Sequence, residues 1–168
     1  MTGSSIPELV LGVHPTVRGL AWVLFEGPGA PIDWGLVYAR REINAACLDR
    51  LNHIVDRYRP ETLVMEAFDR RSGRRGPRVR ALCEAINRLC EGEAVAIHSY
   101  SAQEIRRALA LPIRADRQTI AMRIAEHVRV FVHRAPRPRR AWDPSDRRTA
   151  LFAAAAVVLT HFEARDDS

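Results

Sequence analysis

Apolar and polar positions change their period twice along this chain. Residues 8–14 (ELVLGVH) and 19–26 (GLAWVLFE) are short runs rich in branched and aromatic side chains, parted by Pro-Thr-Val-Arg. A third run, 32–39 (IDWGLVYA), follows a Gly-Pro-Gly-Ala-Pro stretch. Such runs read as strands, and three in succession with short turns predict an antiparallel meander. The period then lengthens: Cys47, Leu51, Ile54 and Tyr58 recur on one helical face, and Pro60 ends that helix. Residues 62–67 (TLVMEA) read as a buried strand. A second helix carries Val79, Leu82, Ile86 and Leu89 on its inner face, and 93–98 (EAVAIH) reads as a fifth strand.

The remainder is helical. Ser101 and Glu104 have the spacing of a capping box, opening a short helix that stops before Pro112. Asp116 is placed to cap a helix with the stripe Ile120, Ile124 and Val128. Asp143 followed by Pro144 opens a last helix that runs to about Phe162. The expected architecture is α/β: a five-stranded mixed sheet, three antiparallel strands and then two parallel ones, flanked by helices.

The 168 residues amount to one domain, 1–168, long enough to bury a full core. The longest apolar run, 150–160 (ALFAAAAVVLT), falls short of the ~20 residues a membrane span needs. No secretory signal opens the chain, so a cytoplasmic protein is expected. Cys47, Cys83 and Cys90 have no C-x-x-C spacing and sit in apolar helical patterns, which predicts buried thiols rather than a zinc site or disulfides.

Charge adds direction. The net charge is +6, and all 26 basic residues are arginine. Arg70, Arg71, Arg74, Arg75, Arg78 and Arg80 crowd one Gly- and Pro-containing stretch, and five more arginines lie between 129 and 140. Both stretches read as loops or loop margins. Guanidinium groups there can hold phosphate oxygens bidentately, so nucleic-acid contact is expected over a merely solvated surface.

His14 closes the first run and Glu66 ends the fourth, behind Leu63, Val64 and Met65. A carboxylate at the end of so apolar a run is costly without a partner, which a metal ion or a nearby arginine such as Arg70 or Arg71 would supply. In open sheets functional groups gather at the carboxyl ends of central strands, where His14 and Glu66 can meet if their strands are parallel neighbours. Asp146 would lie in the first turn of the last helix. Asp143 and Asp146 also suit a helix N-terminus without any metal.

Residues 9–19 (LVLGVHPTVRG) resemble the opening strand and turn of the RuvC-type Holliday junction resolvases. Residues 64–68 (VMEAF) are similar to that family's second motif, and 146–161 (DRRTALFAAAAVVLTH) to its last, with 99–108 and 116–124 following in order between them. The resemblance spans nearly the whole chain. It implies an RNase H-like fold, a homodimer, and magnesium-dependent cutting of branched DNA; it leaves a helicase partner open.

Carried over by motif, the family's four acidic positions fall on His14, Glu66, Asp146 and Thr149. Two of these are not acids. Imidazole offers one lone pair and cannot bridge two ions, and a threonine hydroxyl is a poor magnesium ligand. Three readings follow. His14, Glu66 and Asp146 hold one ion, Mg2+ or, with an imidazole ligand, Mn2+; or Asp143 or Asp69 supplies a missing carboxylate; or the chain binds branched DNA or structured RNA without cutting. Arg106, Arg107 and Arg117 match basic positions that the resemblance places beside the scissile phosphate. His98 and Tyr100 are expected near the same edge.

Overall fold

A computed structural model describes residues 7–67, 76–134 and 148–168. The sheet comprises β1 (Leu9–Thr16), β2 (Gly19–Glu26), β3 (Pro31–Tyr38), β4 (Thr62–Glu66) and β5 (Ala96–Tyr100). Their spatial order is β3-β2-β1-β4-β5; β1–β2 and β2–β3 are antiparallel, while β1–β4 and β4–β5 are parallel. This is the mixed α/β sheet expected from the strand order.

Strand alternation divides the core. From β1 and β2, Leu11, Val13, Leu20, Trp22 and Leu24 face the layer formed by α1 (Ile43–Tyr58) and α2 (Pro77–Gly92). Val10, Ala21, Val23 and Phe25 face the opposite layer of α3 (Ala102–Ala108), α4 (Arg117–His127) and α5 (Arg148–Asp166). Each β1 residue therefore has a decided side, because a one-residue slip would exchange the two cores. The three cysteines are buried free thiols, as their helical spacing implies. Burial pushes the Cys90 thiol up to about 11.

Boundaries differ from the sequence reading where tertiary packing intervenes. β1 continues past His14 to Thr16, pairing with Gly19 across a two-residue turn. The fifth strand starts at Ala96 rather than 93, since α2 persists to Gly92 and Ala94 turns the chain in the left-handed region, φ 56°. Residues Arg129–Arg134, read as part of a loop, form a 3-10 helix. Its cause is Phe131, whose ring packs edge-on against Phe25, Trp34 and Phe152. Among the described residues no helix is long and apolar enough to cross a membrane.

Both smaller helix starts follow their sequence signals. Ser101 Oγ accepts from the Glu104 backbone N–H while the Glu104 carboxylate accepts from that of Ser101, a complete capping box. Asp116 caps α4 through the Thr119 N–H and hydroxyl.

Candidate active site

Val13 faces Met65 across the parallel β1–β4 pair, so His14 and Glu66 are the next residues along their neighbouring strands. By alternation His14 shares a side with Val10 and Gly12, and Glu66 with Val64, which is the side packed by α5. The direction of α5 follows from its contacts. Its middle meets Gly12, where an added Cβ would lie 2.6 Å from the Ala154 carbonyl oxygen. Its C-terminal His161 and Arg165 reach Glu8, just before β1. α5 thus runs antiparallel to β1, and its first turn, with Thr149, points to the edge holding His14 and Glu66. His14 and Thr149 are buried and Glu66 is half-buried.

The expected ligand Asp146 lies outside the described residues, as do the alternatives Asp143 and Asp69. What is described is one carboxylate, one imidazole and one hydroxyl. No three His, Cys, Asp or Glu side chains among the described residues cluster to hold a metal. Glu66 is the sole carboxylate within β1 and β4. This donor set does not suit a pair of hard divalent ions, each of which would be short of negative oxygen ligands.

The arginines separate by their bonding. Arg70, Arg71, Arg74 and Arg75 lie outside the described residues, so neither their reach to DNA nor an Arg70 or Arg71 pairing with Glu66 is described. Arg107 and Arg117 are exposed. Arg106 is bound into the fold: Nε and Nη2 donate to the Ala115 carbonyl at 3.0 and 2.8 Å, and Nη1 to that of Ala102 at 3.1 Å. Arg78 likewise spends its guanidinium internally, donating to Asn44 Oδ1 at 2.9 Å and to the Thr16 and Val17 carbonyls at 2.6 and 3.0 Å.

A second polar cluster, which strand and helix patterns did not disclose, occupies the other half of α5. His161 is 3% exposed; its Nδ1 lies 2.8 Å from the Tyr100 hydroxyl and its Nε2 3.4 Å from Glu8 Oε1. Glu8 also accepts from the Thr62 hydroxyl at 2.7 Å and pairs with Arg165. The His98 ring lies 5.2 Å from that of His161, centroid to centroid. Burial, then the neighbouring His98, holds the His161 imidazole below its ordinary pKa. His98 and Tyr100 thus turn toward this cluster, which opens into a cleft of about 440 Å³. The available signal was the Thr-His pair closing the apolar run of the last helix.

No protein-family model and no curated protein matches this chain. Solved structures do. The RuvC structure of Thermus thermophilus superposes with a TM-score of 0.69 over 95% of this chain and 96% of its own, at 23% identity. T. thermophilus RuvC in complex with a Holliday junction substrate gives 0.69 over 96% and 97%, at 20% identity. Ydc2, the yeast mitochondrial Holliday junction resolvase, gives 0.62 over 96% and 80%, at 11% identity. The fold of this chain is that of the RuvC-type resolvases.

Proposed function

We propose that this protein is a structure-selective endodeoxyribonuclease that binds Holliday junctions or other branched DNA as a homodimer and resolves them by metal-dependent phosphodiester hydrolysis. The observation that carries this reading is the convergence of His14, Glu66 and the first turn of α5 at one sheet edge. The fold, shared over the chain's length with a RuvC solved on a junction substrate, supports it.

Within this reading His14, Glu66 and Asp146 hold a single Mg2+ or Mn2+, which when bound would polarise the scissile phosphate and acidify water. Glu66 is a catalytic residue because it supplies the negative oxygen the imidazole cannot. Thr149, buried in the first turn of α5, adds no charge. Arg107 and Arg117, with the 70–75 arginines, hold the phosphate backbone and set the register of the DNA.

A second reading, a protein that binds branched DNA without cutting it, is favoured by His14 and Thr149 standing where the resemblance expects acids. One experiment separates the two. The purified chain and its Glu66→Gln variant are incubated with a synthetic four-way junction and either Mg2+ or Mn2+. Nicks made by the natural chain and lost in the variant establish the nuclease. A retarded junction without nicks in either metal establishes the binder. Absence of any junction complex at low salt overturns both.

A further inference from the structure

We infer that Arg78 is a positioning residue that fixes the β1–β2 turn, and through it His14, rather than a contact to DNA phosphates. The inference rests on the reading of the His14–Glu66 edge as the DNA site. β1 and β2 are joined by two residues, Val17 and Arg18, between the paired Thr16 and Gly19. Two-residue hairpins favour turns with a left-handed residue, normally Gly or Asn, because that twist matches the strands. Neither Val17 nor Arg18 is left-handed. The turn is therefore held from outside.

Arg78 does the holding. Its Nη2 donates to both turn carbonyls, Thr16 and Val17, while Nη1 donates to Asn44 Oδ1. Asn44 Nδ2 donates back to the Arg78 carbonyl at 3.0 Å. The planar fork thus joins the start of α2, the start of α1 and the turn two residues beyond His14, a span an ammonium group cannot cover. On the far side, the Ala39 N–H donates to the Arg18 carbonyl at 2.9 Å. Val17, 85% exposed, is presented from this clamped tip. Misplacing a site by about 1 Å costs about 100-fold in rate, so loosening the turn is expected to cost cutting on that scale.

The test uses the full chain with Arg78→Ala, Arg78→Lys and Asn44→Ala. Two quantities are read: the His14 ring chemical shifts by NMR at fixed pH, well below the melting temperature, and junction affinity as a function of salt. A positioning role predicts that Arg78→Ala and Asn44→Ala both move the His14 ring signals and weaken junction binding with an unchanged salt slope, and that Arg78→Lys does not rescue. A phosphate contact predicts a salt slope smaller by about 1 for Arg78→Ala, and Asn44→Ala close to the natural chain; that result overturns the inference. So do unmoved His14 signals in both alanine variants. If Arg78→Ala does not fold, Asn44→Ala decides. If the natural chain binds no junction, the functional reading fails while the His14 signals still decide the role of Arg78.

Discussion

Gly12 of β1 and Val158 of α5 lie so close that a Cβ on the glycine would sit 2.4 Å from Val158 Cγ2. That approach lets α5 lie flat on the sheet and carries Thr149 to the edge occupied by His14. Gly12→Ala should lower unfolding free energy by about 1–3 kcal/mol in a urea titration, the usual cost of overpacking. Adding Val158→Ala should restore only part of this, because the Ala154 carbonyl oxygen, 2.6 Å from the same Cβ, stays in place.

The His161 cluster makes stability depend on pH. Its folded pKa is depressed, so the unfolded chain binds the proton more readily. The contribution is fully present above the unfolded value of about 6.5 and is lost as pH falls through the lower folded value. Denaturation midpoints should fall between pH 7.5 and 5, and His161→Gln should flatten that fall. The Asp116 carboxyl, lowered chiefly by the Thr119 backbone N–H, responds in the same direction but only below about pH 3.9. Tyr100→Phe leaves a buried ring nitrogen unpaired and should cost about 1–3 kcal/mol at pH 7.5.

Three arginines on α3 and α4 should part company in solution. Arg107→Ala and Arg117→Ala should each weaken junction binding and lower its salt slope by about 1. Arg106→Ala should leave the slope unchanged and lower stability by about 1–3 kcal/mol, since the buried Ala115 carbonyl loses charged donors.

Restoring two acids tests the metal donor set. His14→Asp combined with Thr149→Asp should give a Mg2+-dependent rise in melting temperature, and ion at 100 times its Kd stabilises by about 2.7 kcal/mol. The natural chain should respond to Mn2+ more than to Mg2+, because manganese accepts imidazole more readily. Glu66→Gln should abolish the response in either background.

The chain's own order of periods was enough for the element sequence, the α/β class, the capping box at Ser101 and the Asp116 cap. These depend on local chemistry: side-chain alternation, helical spacing and backbone groups satisfied within one turn. The resemblance of its motifs also pointed to the RuvC-type fold. Local pattern did not disclose that Arg78 and Arg106 are bound to carbonyls of the fold, since a guanidinium is equally at home on a backbone oxygen or a phosphate. Nor could it show the 3-10 turn made by Phe131, or Glu8 meeting His161 across 153 residues of chain. Periodicity states which face a residue takes. Which partner waits there is decided by strand register and helix direction, and those are set only when both cores close on the sheet.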